Sequence, residues 1–244
     1  MRYLSFRHIA ATAALLSACS SPDSRKSADR AAPSPDTQRV ASSDGTLGSA
    51  TTRDSVTDRA DRGRILGDST ASVWIVMASD FQCPWCKRWH DETFQPIVQN
   101  YVRAGKVRMA YLNFPLGMHR NAVPASEAAM CASVQGKFWP MHDALFAEQE
   151  KWGELPDAVP TFDAMATRAG VAMPAWRDCM SKHSTMNLIA ADRDRARSAG
   201  VKSTPTFFVG DRRVEGALPF AGFRDTIEAV LRKTPAATGA PKSP

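Results

Sequence analysis

Two stretches of the chain have the apolar, β-branched pattern of buried strands. Residues 73–79 read VWIVMAS and residues 106–113 read KVRMAYLN, and each has the length of a strand. Between them, apolar residues recur at helical spacing at Cys86, Trp89, Phe94, Ile97, Val98 and Tyr101. This stripe predicts a helix in which Pro84 suits the first turn, Pro96 kinks or divides the helix, and Gly105 ends it. The pattern predicts a β-α-β unit with parallel strands.

The rest of the folded region is mostly helical in pattern. Residues 118–200 contain no convincing strand, and we expect four or five helices there, in a small helical subdomain, at residues 121–135, 138–150, 161–169, 174–183 and 185–199. Strand character returns at 206–209, and Gly210 begins a tight turn into a second strand at 212–215. An amphipathic helix at 219–232 follows. These elements predict one α/β unit over residues 63–233.

The first residues have the pattern of an export signal. Arg2 and Arg7 precede ten apolar and small residues, IAATAALLSA. Ten helical residues rise only about 15 Å, half of a ~30 Å hydrocarbon core, so we predict a signal peptide at 1–18 and not a membrane span. The next residue completes Leu-Ser-Ala-Cys, which resembles the bacterial lipobox, and Cys19 would then carry a lipid. An ordinary signal peptide with an incidental cysteine is the alternative.

Two further segments lack the apolar content of folded structure. Residues 19–62 are rich in Ser, Thr, Ala, Asp and Arg without any aromatic residue, and residues 234–244 read TPAATGAPKSP. Such segments cannot bury enough apolar surface to offset chain entropy, so we expect a disordered tether and a disordered tail. The charges of the tether nearly cancel, which is typical of a spacer. A coil of this length would hold the folded unit about 35 Å from its anchor.

Composition excludes several classes of protein. The 244 residues are 43% hydrophobic with a net charge of +6, which is neither collagen-like nor wholly disordered. The basic residues are scattered, so we expect no nucleic-acid partner. No long uncharged apolar run occurs, and we expect membrane contact only through the lipid. The five cysteines are an odd number, which leaves one without a partner in an exported protein.

The candidate chemistry is a Cys-Pro-Trp-Cys motif at the start of the predicted helix. A helix N-terminus offers free N–H groups and partial positive charge to a thiolate. We therefore expect Cys83 to be the more exposed nucleophile with a lowered pKa, and Cys86 to be its buried partner. Half of a zinc site and a structural disulfide are the alternatives. We expect no metal, because no second ligand pair at matching spacing exists among His90, His119, His142 and His183.

From residue 63 onward the chain resembles the DsbA-like branch of the thioredoxin superfamily, in particular its single-domain bacterial disulfide oxidoreductases. The matching segments are SDFQCPWC (79–86), FPL (114–116) with His119, QGKFW (135–139) with MHD (141–143), and GVKSTPTF (200–207). The resemblance implies a thioredoxin fold with an inserted α-helical subdomain at about 118–200. It also implies a thiol:disulfide oxidoreductase without a cofactor, on the periplasmic side of a bacterial cell envelope.

The resemblance also implies roles for residues outside the cysteine pair. The proline that matches Pro205 is cis in the family and lies against the cysteines, so Thr204 and Pro205, with Pro84 and Trp85, would hold an extended substrate chain. Many relatives have a glutamate six residues before the first cysteine as a proton relay, and this chain has Met77 there.

Two more cysteines lie in the predicted helical subdomain. Cys131 and Cys179 are either buried free thiols or a second, structural disulfide such as some relatives carry, and an oxidising compartment favours the disulfide. We interpret His90 as a structural residue and not a proton shuttle, because no paired carboxylate is evident in the sequence. His119 matches a family position without a role that the sequence explains.

Three functions remain open at this stage. The first is an oxidase that introduces disulfides into cysteine-containing exported proteins and is re-oxidised by a quinone-linked membrane partner, acting as a monomer. The second is a reductase or isomerase with the same residues, although isomerases of this superfamily carry an N-terminal dimerisation domain where this chain has a tether. The third is a copper-binding lipoprotein, against which the Pro205 motif favours thiol exchange.

Overall fold

A computed structural model describes residues 55–234 of the chain. The predicted signal peptide, Cys19, most of the predicted tether and the tail from residue 235 lie outside the described residues. Within residues 55–234, no helix combines the length and the apolar character that crossing a membrane requires.

The centre of the fold is a five-stranded sheet in the order β1-β3-β2-β4-β5. Its strands are β1 (Ile65–Leu66), β2 (Val73–Ser79), β3 (Val107–Asn113), β4 (Thr206–Val209) and β5 (Arg212–Glu215). Strands β2 and β3 are parallel, which confirms the predicted β-α-β unit, and the other pairs are antiparallel. The hairpin of β4 and β5 is also as predicted, with Gly210 at a φ of 56° in its turn.

The helical segment between β2 and β3 keeps its apolar stripe on the core by changing its helical period. It begins as α2 (Pro84–Trp89), becomes a π-helix (His90–Phe94), continues as α3 (Gln95–Ile97) and ends in a second π-helix (Val98–Val102). The π turns fit a stripe in which Trp89 and Phe94 are five residues apart and both buried. Pro96 therefore lies inside a segment that stays helical throughout, between the two π turns.

The predicted helical subdomain follows β3, and its described residues contain no strand. It comprises α4 (Ala122–Ser133), α5 (Phe138–Ala147), α6 (Gln149–Trp152), α7 (Val159–Ala169), α8 (Met173–Ser181) and α9 (Met186–Ser198). The segment predicted as one helix at 138–150 divides into α5 and the short α6. The last helix, α10 (Phe220–Leu231), matches the predicted amphipathic helix closely.

One predicted boundary is wrong. Helix α1 (Val56–Gly63) lies in the segment assigned to the disordered tether at 19–62, so folded structure begins near Ser55 and not at residue 63. The helix is polar, with only Ala60 buried, which hid it from the hydrophobic pattern. Ser55 and Asp58 form a capping box that starts the helix. The Ser133 hydroxyl donates to the Ala60 carbonyl at 2.6 Å and ties α1 to α4.

Candidate active site

The two cysteines of the Cys-Pro-Trp-Cys motif lie where β2 passes into α2. Cys83 is the N-cap residue of α2 and Pro84 occupies its first turn, as the sequence predicts. The Cys83 N–H donates to the Asp80 carbonyl at 3.1 Å, which closes the turn between strand and helix. Both cysteines are unbonded and largely buried, with exposed fractions of 4% for Cys83 and 2% for Cys86.

The two thiols differ strongly in acidity. The pKa of Cys83 is lowered to about 6, first by the hydrogen bond from Cys86 and further by Thr204 and by the backbone N–H groups of Cys86 and Trp85, against the opposing effect of burial. The pKa of Cys86 is raised well above its ordinary value, mainly by burial and then by the neighbouring Cys83. Thiolate character therefore concentrates on Cys83, the residue at the helix N-terminus.

The Thr204–Pro205 segment lies directly against this thiol. The peptide bond between the two residues is cis, and the Cys83 Sγ–H donates to the Thr204 carbonyl at 3.5 Å. The Pro205 carbonyl is already occupied, because it accepts the Gly216 N–H at 2.8 Å. Next to Cys83 along the chain, Pro84 is exposed and the Trp85 side chain is 57% exposed. The predicted substrate-binding residues thus surround the nucleophile.

A buried carboxylate fixes the loop that precedes the cysteines. Asp80 is fully buried; one of its oxygens accepts the Gln82 N–H at 2.7 Å and the other the Leu116 N–H at 2.8 Å. The second oxygen also lies 2.7 Å from His119 Nδ1. No role for His119 is evident from the sequence alone; in the structure it contacts the carboxylate that shapes the active-site turn. Asp80 and His119 both belong to the segments that carry the family resemblance, and this was the signal in the sequence that could have linked them.

Hydrogen bonds of two glutamine side chains connect the same loop to the helical subdomain. Gln149 at the start of α6 donates from Nε2 to the Phe81 carbonyl at 2.7 Å and to the Cys83 carbonyl at 3.1 Å. Gln82 Nε2 donates to the Gly153 carbonyl at 2.6 Å. Sequence reasoning missed both glutamines, because their partners are backbone carbonyls that no sequence pattern displays.

His90 has the carboxylate partners that the sequence did not reveal. Its Nδ1 lies 3.0 Å from Asp91 and its Nε2 lies 3.1 Å from Asp143, which also takes His142 Nδ1 at 2.9 Å. Burial lowers the pKa of His142 to about 4. Hydrogen bonds from His142 and His90 lower the pKa of Asp143 although burial opposes them. The group links α5 to the π-helical segment that follows α2, which supports the structural interpretation of His90.

This histidine group is also the one set of side chains in the described region that could hold a metal ion, and it does not include Cys83 or Cys86. Its two facing nitrogens already share one oxygen of Asp143, which satisfies both by hydrogen bonding. His142 Nε2 is buried without a hydrogen-bonding partner, and no cysteine of the described residues belongs to the group.

The remaining two cysteines of the described region lie on facing helices. Cys131 of α4 and Cys179 of α8 are joined as a disulfide with a Cα–Cα distance of 5.8 Å. Both are buried. The bond links α4 to α8 across a sequence separation of 48 residues. Neither helix contains Cys83 or Cys86, which lie at the start of α2.

Comparison with known proteins identifies the family. The thioredoxin family model Thioredoxin_4 matches residues 59–229. The Na(+)/H(+) antiporter NhaA 3 of Salinispora tropica is 34% identical over 157 residues, which is 64% of this chain. The chain spans only about a quarter of that protein, 23% of its length. Disulfide bond formation protein D of Bacillus subtilis is 24% identical over 174 residues, covering 69% of this chain and 77% of that protein.

Solved structures show the same fold. Oxidised BdbD from Bacillus subtilis superposes with a TM-score of 0.63 at 22% identity, covering 70% of this chain and 94% of that one. The α-DsbA1 protein of Wolbachia pipientis superposes with the same TM-score at 22% identity, covering 70% of this chain and 91% of its own. With the family match over residues 59–229, the chain belongs to the thioredoxin superfamily, and the helical subdomain inserted between β3 and β4 gives it the fold of the DsbA and BdbD structures.

Proposed function

We propose that the chain is a thiol:disulfide oxidoreductase that acts as an oxidase and introduces disulfides into cysteine-containing exported proteins. The observation that carries this proposal is the unequal acidity of Cys83 and Cys86 beside Thr204 and Pro205. An enzyme of this kind needs one sulfur that is stable as a thiolate beside the substrate-binding segment and a second sulfur that closes the ring.

The reaction begins from the oxidised Cys83–Cys86 pair. A substrate thiolate attacks Cys83 Sγ, the substrate–Cys83 bond forms, and the Cys83–Cys86 bond breaks with its electron pair on Cys86. A second thiolate of the substrate then attacks the substrate sulfur and displaces Cys83 as a thiolate. The substrate has gained a disulfide and the enzyme has gained two electrons. Backbone groups at Thr204 would hold the substrate extended beside Cys83 during both steps.

The low pKa of Cys83 sets the direction that we propose. A thiolate that is stable at neutral pH is a good leaving group, and its stability favours the reduced enzyme, so the oxidised enzyme gives its disulfide away readily. The name of the Bacillus subtilis relative, disulfide bond formation protein D, agrees with this direction. A reductase or isomerase would use the same two sulfurs with a less stable Cys83 thiolate.

The cellular setting is proposed from the sequence. A signal peptide at residues 1–18 would export the chain, a lipid on Cys19 would anchor it on the periplasmic side of a bacterial membrane, and the segment up to about residue 54 would act as a spacer. We further propose that the enzyme is a monomer, and that a quinone-linked membrane protein re-oxidises it. Radiolabelled palmitate incorporated by the wild type and lost in Cys19→Ala would support the anchor, and equal labelling of both would contradict it.

Trapping of the covalent intermediate tests the proposed reaction. Cys86→Ala should accumulate a mixed disulfide when its Cys83 thiolate attacks a disulfide-linked peptide dimer and releases one peptide as a thiolate, because no second enzyme sulfur can resolve the bond. Cys83→Ala should trap nothing, although it carries the same cysteine-to-alanine change as Cys86→Ala. Cys86→Ala combined with Cys131→Ser/Cys179→Ser should trap as Cys86→Ala alone does. A mixed disulfide that forms equally without Cys83 would contradict the proposal.

A further inference from the structure

Two buried hydroxyl groups next to the cysteine pair have no hydrogen-bonding partner. They belong to Ser79 at the end of β2 and Tyr111 of β3, each only 1% exposed. In the parallel register Met77 pairs with Tyr111 and Ser79 with Asn113, so Ser79 and Tyr111 are diagonal neighbours on one face of the sheet. The Phe81 ring stacks on the Tyr111 ring at 4.8 Å and holds the phenol in place.

Cys86 of α2 is buried as completely as these two hydroxyls, and the three side chains are each at most 2% exposed, in an interior that water does not reach. Burial together with Cys86 raises the pKa of Tyr111, whereas the Ser79 hydroxyl acts to lower the pKa of both the Cys86 thiol and the Tyr111 phenol. The other titratable groups that act on them are Cys83 and Asp80.

A buried hydroxyl without a partner is costly, and two of them side by side call for an explanation. Cys86 supplies one, because its charge changes during thiol exchange. As a neutral thiol, Cys86 is only a weak hydrogen-bond acceptor. As a thiolate in a low-dielectric site, it is a strong acceptor. Donors that are already aimed at a developing charge stabilise it without reorganising.

We propose that Ser79 is the hydrogen-bond donor that stabilises Cys86 as a thiolate, and that Tyr111, its diagonal neighbour on the sheet, is a positioning residue that keeps the Ser79 hydroxyl turned towards Cys86. When substrate attack breaks the Cys83–Cys86 bond, the electron pair of that bond remains on Cys86 Sγ. The resulting thiolate accepts a hydrogen bond from the Ser79 hydroxyl. In the reverse step Cys86 loses its proton to water and attacks Cys83 Sγ while it accepts the same hydrogen bond. Ser79 and Tyr111 keep their protons throughout, so the step needs no further reactant.

The inference rests on the proposed thiol exchange, and one assay separates the two. Reduced protein is mixed with Ellman's reagent in a stopped-flow instrument. Cys83 attacks first, releasing one thionitrobenzoate and leaving a Cys83 mixed disulfide. Cys86 then attacks Cys83 Sγ and releases the second thionitrobenzoate. The first release reports the nucleophile of the proposed function. The pH profile of the second release reports the ionisation of Cys86.

Ser79→Ala should leave the first release unchanged and move the pH midpoint of the second release upward by about one unit. The second release should then be about tenfold slower at neutral pH, the usual effect of losing one hydrogen bond to a charged group. Ser79→Thr keeps the hydroxyl and should restore the wild-type midpoint. Tyr111→Phe should shift the midpoint in the same direction by a smaller amount. Ser126→Ala is the matched control, because Ser126 is another fully buried hydroxyl without a partner, in α4.

An unchanged midpoint in Ser79→Ala would overturn the proposal, as would a second release that slows equally at every pH, which would indicate misplacement of Cys86 and not its ionisation. If Ser79→Ala does not fold, Tyr111→Phe decides by the same midpoint, and no shift there refutes the hydroxyl pair. Failure of the first release in the wild type would instead refute the proposed function.

Discussion

Lowering the pH should destabilise the reduced protein by protonating Cys83. In the folded reduced protein the pKa of Cys83 is about 6, against an ordinary value of 9.0. Folding therefore stabilises the thiolate, and this contribution is complete above the unfolded pKa and is lost as the pH falls through about 6. Cys86 adds nothing in this range, because its raised pKa keeps it protonated in both states.

The size of the effect follows from the interval between the pH and the folded pKa. At about 1.4 kcal/mol per pH unit, the thiolate contributes about 2 kcal/mol near pH 7.5 and almost nothing near pH 5.5. Allowing for solvent screening of the thiolate charge, the expected loss of stability between these pH values is about 1 to 2 kcal/mol.

Urea unfolding in excess phosphine reductant measures this loss. The comparison is between reduced wild type and reduced Cys83→Ser, whose hydroxyl does not titrate, so that every other ionisable group cancels. We expect the free energy of unfolding of the wild type to fall relative to the variant as the pH drops from 7.5 to 5.5. The oxidised wild type should show no such extra fall. A difference between wild type and Cys83→Ser that stays constant across this range would refute the reasoning.

Three further predictions concern the structure around the site. Gln149→Leu should lower the free energy of unfolding by about 1 to 3 kcal/mol and slow thiol exchange, because the Phe81 carbonyl loses its donor and the Cys83 carbonyl keeps only the Lys87 N–H; urea unfolding and the first thionitrobenzoate release measure the two effects. Cys131→Ser/Cys179→Ser should lose about 4 kcal/mol in the same unfolding assay, because the bond closes a loop across a sequence separation of 48 residues. Its Cys83 reactivity should be unchanged. His142→Gln should weaken the loss of stability between pH 6.5 and about 4, because His142 stays neutral in the fold while it charges in the unfolded chain.

Each of these predictions has a contradicting result. Equal stability of Gln149→Leu and wild type would show that the hydrogen bonds from Gln149 do not stabilise the active-site loop. Mass spectrometry of the unreduced protein that found free thiols at Cys131 and Cys179 would contradict the second disulfide. An acid-unfolding profile of His142→Gln identical to that of the wild type would show that another group controls acid stability.

Local pattern predicted the elements of this fold well. The long strands alternate or run apolar as buried strands do, and the segment from Pro84 to Val102 displays its buried stripe openly in the sequence. The polar helix α1 did not, because a helix with one buried residue has almost no hydrophobic signal. Its capping box at Ser55 and Asp58 was the sign that sequence reasoning overlooked.

The site was predicted only in part for a related reason. Cys83 and Cys86 are adjacent along the chain and carry recognisable chemistry, and the Pro205 segment has a family resemblance. Gln149 and His119 act through contacts with residues far away in sequence, and their partners are a backbone carbonyl and a carboxylate inside the fold. Which polar groups meet across a core depends on tertiary packing, which a single sequence does not display.

The reduction potential of the Cys83–Cys86 pair tests the central claim most directly. It is measured by equilibrating the protein in glutathione buffers of increasing ratio and quantifying the free thiols. The variant Cys131→Ser/Cys179→Ser with Cys19→Ala serves as the background, because it leaves only this pair of the five cysteines. The lowered pKa of Cys83 predicts a potential clearly more oxidising than that of thioredoxin, which is about −270 mV. A potential equal to or below that value would contradict the assignment of this protein as an oxidase.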